Sequence, residues 1–154
     1  VYAEIVRVLH RFERVEILCH NEDVREDART RLNSHGCNPD GYRLHVVPND
    51  RVWLRDSAPT FVHDERGNVN LVNWSFNAWA KYDNYALDIQ VGAAIERITG
   101  HWRFQPQRPD GQPVVLEGGA IEASGAGLPF TSSRCLSAVT PATLTSSRST
   151  LLST

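Results

Sequence analysis

Of 154 residues none is methionine and three are cysteine, and neither sign of charge dominates. Sixteen Lys and Arg against eighteen Asp and Glu give a formal net charge of −2, which provides no electrostatic footprint for nucleic acid or for an acidic membrane surface. No apolar run approaches the roughly 20 residues of a membrane-spanning helix. The opening stretch VYAEIVRVLHRF carries charges and has no small-residue cleavage site, so it is not expected to be a signal peptide. With no Met at position 1, the chain is expected to begin inside a longer protein. Cys19, Cys37 and Cys135 form no CxxC, and the six histidines do not pair at i, i+4. Neither a metal site nor a cofactor is therefore expected. An odd, sparse cysteine count suits a reducing cytoplasm better than a disulfide scaffold.

What is present reads as one α/β domain. Ile5, Val8, Leu9 and Phe12 fall at helical spacing and predict a helix with one apolar face. VEILCH (15–20) reads as a short buried strand. EDVREDARTRLNSHG reads as a helix with early acids, Val24, Ala28 and Leu32 four apart, and a glycine stop. YRLHVVP (42–48) is a second strand ended by Pro48. Two β-rich runs within VWLRDSAPTFVHDERGNVNLVNW then flank a hairpin turn at Asp64-Glu65-Arg66-Gly67. FNAWAKYDNY (76–85) lacks clean periodicity and reads as a loop. YALDIQVGAAIERITG (85–100) is helical, QPQRPDGQP is turn-rich, and VVLEGGAIEASG is a strand, a Gly-Gly break and a second extended stretch.

Three carboxylates stand out by their neighbours. Asp56 follows Trp53 and Arg55, so VWLRDSAP is either a packed strand end or one wall of a site that grips a charged ligand. Asp88 opens a helix after the aromatic loop, where a cap is the plainer role. Glu117 ends an apolar strand and meets Gly118-Gly119, where missing side chains let a ligand approach the backbone. A solvated turn has the same local look.

Three segments taken in order, NDRVWLRDSAPTFV, NWSFNAWAKYDNY and VVLEGGAIEASGAG, resemble the agmatine deiminase and bacterial (Porphyromonas-type) peptidylarginine deiminase family. The resemblance covers about residues 1–127 and implies a partial α/β propeller of pentein type, roughly one and a half to two of five blades. It implies a C–N hydrolase that acts on a guanidinium, either agmatine, giving N-carbamoylputrescine and ammonia, or peptidyl arginine, giving citrulline. In that chemistry carboxylates grip the planar cation, a cysteine thiolate attacks its central carbon, ammonia leaves, and water hydrolyses the covalent intermediate. By the resemblance Asp56 binds the guanidinium with Trp53 and Arg55 as the wall beside it. Glu117 is the carboxylate of the Glu-Gly-Gly motif, and Trp79 lies in a segment lining the entrance. Asp88 is a further candidate on the substrate side. The partner implied is a small guanidine, with association between copies expected where a partial propeller leaves apolar edges uncovered.

Departures from the pattern limit the expectation. The family's histidine and aspartate after Glu-Gly-Gly are replaced here by Glu122 and Ser124, of which only Glu122 could move a proton. None of the three cysteines matches the nucleophile, so the chain alone is expected to be inactive. A guanidinium-binding domain without turnover is the alternative, and a carboxylate-pair glycosidase built on Asp56 and Glu117 lacks any supporting motif. Residues 128–154 hold 13 Ser or Thr in 27 positions and no acid, a composition that cannot repay its ordering entropy. Codons for Val139-Thr140-Pro141-Ala142 read in another frame permit Arg-Asn-Pro-Gly, so a frameshift between Gly127 and Val139 is a further expectation.

Overall fold

The computed structural model describes residues 1–64 and 66–122 and the backbone of 123 and 129–131. Within it the chain is α/β and divides into two compact units, Val1–Asp50 and the chain from Arg51 on. Among the described residues no helix is long and apolar enough to cross a membrane.

The first unit is a short α/β layer. Helix α1 (Tyr2–Leu9) leads to strand β1 (Val15–Cys19), helix α2 (Glu22–Ser34) and strand β2 (Tyr42–Val46). β1 and β2 pair in parallel from Val15↔Tyr42 to Cys19↔Val46, with α2 as the crossover that parallel pairing requires. Asn21 caps α2 by accepting the Val24 N–H, and Glu22 and Asp23 complement the positive end of the helix. The core gathers Val6, Leu32, Cys37 and Tyr42, with Ala3, Val15, Ile17 and Leu44 packed against it.

Helix α1 corrects the expected face. Ala3 and Val6 turn inward, whereas Ile5, Val8 and Leu9 are exposed, and Phe12 lies beyond the helix end and is 84% exposed. Periodicity marks an apolar stripe; which side is covered depends on the neighbouring elements. Here α2 and the sheet take the Ala3–Val6 side.

The second unit opens with a correction to the expected β-run. Leu54–Ser57 is a single turn of helix, α3, and extended structure begins only at β3 (Thr60–His63). β3 pairs antiparallel with β4 (Val69–Val72), and β4 pairs in parallel with β5 (Arg103–Phe104), a strand the sequence reading did not predict. The hairpin turn is where expected. Asp64 accepts the N–H groups of Arg66 and Asn68 through its side chain, and Gly67 turns with φ 80°. Helix α4 (Val91–Thr99) follows a 3-10 turn at Asp88–Gln90 and ends at Gly100 in the left-handed region.

The segment before Glu-Gly-Gly is not a full strand. Val115 makes one isolated parallel bridge to Ser75, supported by Ser75 N–H to Val114 O at 2.9 Å and Leu116 N–H to Ser75 O at 3.3 Å. That bridge joins the chain just ahead of the aromatic segment to the chain just ahead of Glu117. A 3-10 turn at Gly118–Ala120 then leads into β6 (Ile121–Ala123), which pairs antiparallel with β7 (Pro129–Thr131). Apart from β7, the Ser/Thr-rich segment lies outside the described residues, as do Ser124, Cys135 and the rest of the Gly127–Val139 stretch of the frameshift expectation.

Candidate guanidinium site

The α3 turn and the Gly-Gly turn build the site together, across 63 residues of sequence. The Asp56 carboxylate accepts the Gly119 N–H at 2.7 Å through Oδ1 and the Trp79 indole N–H at 3.3 Å through Oδ2. Arg55 donates to the same segment that Asp56 accepts from. Its Nε donates to Gly118 O at 3.1 Å and its Nη2 to Ile121 O at 3.0 Å, so the guanidinium fastens the Gly-Gly turn to α3. The adjacent Arg55 and Asp56 therefore grip the same turn, one through its carbonyls and the other through an amide.

The glycines are required by proximity. A Cβ on Gly118 would overlap the Arg55 carbonyl oxygen, and one on Gly119 would overlap Asp56 Oδ1. No side chain fits at either position without moving the carboxylate or the backbone behind it.

Glu117 precedes this turn and is half-buried. Burial pushes its carboxyl above the ordinary value of 4.5, and the negative charge of Asp56 raises it further. Glu117, whose charged form is disfavoured by burial and by Asp56, would welcome a cation beside it. Asp56 uses one acceptor position on each oxygen, and a carboxylate offers roughly four, so lone pairs remain for a ligand's N–H groups.

The aromatic segment is more ordered than a loop. Ala78, Trp79 and Ala80 all have positive φ (51°, 61° and 54°), a conformation costing a non-glycine residue about 1–3 kcal/mol. Asn77 holds the turn by accepting the Ala80 N–H at 3.1 Å through Oδ1. The Trp79 ring meets buried Phe76 edge-on at 5.2 Å and Tyr82 at 6.1 Å.

Behind that turn lies a cation the sequence reading missed. Arg51 sits 4.9 Å over the Tyr82 ring and 5.8 Å over the Trp79 ring. Its guanidinium donates to Asn84 O at 2.5 Å and Asn84 Oδ1 at 2.6 Å, and Nη1 reaches Asp88 Oδ2 at 3.3 Å. Asp88 also accepts the Arg51 backbone N–H at 3.1 Å and is only 1% exposed. Arginine and aspartate separated by 37 residues carry no local signal. The Arg51-x-Trp53 spelling gave none either.

The seven sequence candidates thus divide. Asp56, Trp79, Glu117 and the Arg55 brace converge on the Gly-Gly turn. Asp88 is set behind the aromatic turn with Arg51. Trp53 precedes α3 and is 61% exposed, its carbonyl accepting the Asp56 N–H at 3.0 Å. Glu122 is exposed on β6, opposite Phe130. Cys19 and Cys37 are buried, and burial pushes both thiols upward, away from the thiolate that nucleophilic attack needs.

The profile of the Porphyromonas-type peptidyl-arginine deiminase family matches residues 1–142, beyond the Gly127 limit of the sequence resemblance. The chain is 36% identical over 140 residues to the agmatine deiminase of Ectopseudomonas mendocina and 34% identical to that of Pseudomonas aeruginosa, in each case over 88% of this chain and 35% of the relative. It spans about a third of the length of these relatives. The fold is similar to that of the agmatine deiminase of Enterococcus faecalis, with a TM-score of 0.77 at 21% identity, over 99% of this chain and 42% of that one.

Proposed function

Because the chain belongs to the Porphyromonas-type peptidyl-arginine deiminase family, a family of hydrolases acting on C–N bonds, we propose that the Asp56–Glu117–Trp79 cluster is one wall of a guanidinium-binding site. The observation that carries this reading is the Asp56 carboxylate, fixed by Gly119 and Trp79 beside a Glu117 whose charge is disfavoured until a cation arrives. Asp56 and Glu117 would take the planar N–H edges of the substrate, as carboxylates do with a guanidinium. Trp79 would close the apolar side, with Trp53 and Arg55 as the flank beyond Asp56 and Asp88 as its support. If turnover occurs, Glu122 would carry the proton transfer.

Agmatine is the proposed substrate, in cytoplasmic putrescine formation, with peptidyl arginine as the competitor. The proposed architecture is one and a half to two blades of a five-bladed propeller over residues 1–127, followed by a separate Ser/Thr-rich segment. The attacking thiolate is assigned to neither Cys19 nor Cys37, so we expect no turnover from these 154 residues alone. Burial of both thiols supports that expectation, and Glu122 at the family's histidine position favours the second reading, a guanidinium binder without turnover.

Calorimetric titration with agmatine and with a blocked arginine peptide, alongside an ammonia assay, tests both readings. Saturable binding that is lost in Asp56→Asn and Glu117→Gln supports the site, and ammonia release separates an enzyme from a binder. No binding of either guanidine would sink both readings.

A further inference from the structure

The strained Ala78–Trp79–Ala80 turn has no glycine, yet it delivers the one side-chain N–H seen on Asp56 among the described residues. Something must hold a conformation that three successive non-glycine residues disfavour. Asn77 ties its two ends, and Phe76 packs against one edge of the indole. The indole also meets Arg51, whose guanidinium lies 5.8 Å from the Trp79 ring and 4.9 Å from the Tyr82 ring and is anchored at three acceptor atoms, Asn84 O, Asn84 Oδ1 and Asp88 Oδ2. The Arg51 backbone is itself fixed to Asp88 Oδ1, so the guanidinium starts from a pinned Cα.

We propose that Arg51 is a positioning residue: it clamps the Trp79–Tyr82 aromatic pair from behind and so holds the Trp79 indole N–H on Asp56. A guanidinium suits this role because its delocalised charge lies within reach of both near-perpendicular rings and its donors are numerous enough to be tied at its rim. Lysine keeps the charge but loses both the plane and the fork. Arg51 lies four residues before Arg55 and five before Asp56, so one short stretch supplies the carboxylate, the brace on its Gly-Gly partner and the clamp on its tryptophan partner. Release of the clamp would let the left-handed turn relax and leave Asp56 with the Gly119 N–H alone of the two donors seen here. The consequence for ligand binding rests on the guanidinium reading above; the placement of the indole does not.

The test is a cycle read by NMR on the full chain with 15N-labelled tryptophan. Trp79→Phe identifies the Trp79 indole signal among the four. Asp56→Asn should move that signal in the wild-type background, and the movement should be largely lost in the Arg51→Lys background. Asn84→Ala, which removes one tether and leaves every charge in place, should give a smaller loss. In the wild-type chain, nuclear Overhauser contacts should join the Arg51 side chain to the Tyr82 ring. Agmatine affinity should fall about tenfold in Arg51→Lys, as expected for a lost hydrogen bond at a charged group.

An undiminished Asp56→Asn movement in Arg51→Lys, or the absence of the Arg51–Tyr82 contacts in the wild type, overturns the proposal. If the wild type fails to bind agmatine while Arg51→Lys still abolishes the indole response, the guanidinium reading falls and the clamp stands. If Arg51→Lys keeps both the indole response and the wild-type affinity, the clamp falls and the guanidinium reading stands.

Discussion

The two compact units handle charge in opposite ways. In Val1–Asp50 the ion pairs lie at the surface, most of them three or four residues apart on one helix, as with Arg25–Glu22 and Arg31–Asp27, and the core is apolar apart from the Cys37 thiol and the Tyr42 hydroxyl. From Arg51 on, the described chain buries Ser57, Asn73 and Asp88, and its decisive polar contacts join residues 23 to 66 positions apart. Surface pairs at high dielectric add little, whereas a charge taken out of water must be matched or it costs several kcal/mol. The first unit is thus a packing problem. The second gives up some of that simplicity to hold a carboxylate, a pair of glycines and an indole in one place.

The sharpest way to break this contrast is at Asp88. Asp88→Ala removes the carboxylate under Arg51 and should cost about 3–5 kcal/mol in a urea melt, the usual loss when one partner of a buried pair goes. Asp27→Asn, at a surface pair of the first unit, should leave the midpoint unchanged within error. Equal effects from the two would erase the distinction. Next in size is Leu32→Ala in the first unit's core, where the deleted side chain should cost about 2–5 kcal/mol and leave agmatine binding intact wherever the chain remains folded.

Gly119→Ala should show the reverse profile. Its new methyl meets the side-chain end of Asp56 and no backbone atom, so the melt should move little while agmatine affinity drops at least about tenfold. A destabilised variant with unchanged affinity would place the importance of this glycine in the fold, not in the site.

The smallest effect expected is that of pH at Glu117. Its native carboxyl titrates above the unfolded value near 4.5, so the native state holds more protons and stability falls as pH rises through the interval between the two values. Below that interval the group is neutral in both states and costs nothing. Glu117→Gln should flatten this part of the stability profile. A bound guanidinium favours the charged form, so agmatine binding within the interval should release a proton, visible as a buffer-dependent calorimetric enthalpy. Proton uptake would contradict the sign.

Much of the scaffold was legible in the sequence because it depends on neighbours along the chain. The alternation of α1, β1, α2 and β2, the Asp64–Gly67 turn and the end of α4 at Gly100 all follow from periodicity, capping and turn chemistry within a few residues. VWLRDSAP was only half legible. Its Asp56 stood out by composition, but its helical turn did not, because four residues closed by a proline carry too little pattern to separate a turn from a strand end.

Local pattern along the chain was enough for the α/β class, the order of most elements and the three motifs shared with the family. Long-range packing settles which side of α1 is covered, that Arg55 braces a backbone turn, and that Arg51 lies against Trp79. The physical reason is range. Helix, turn and cap energies are settled within one or two turns of chain. The Gly118–Gly119 approach, the indole on Asp56 and the buried Asp88 exist only once segments tens of residues apart have excluded water between them.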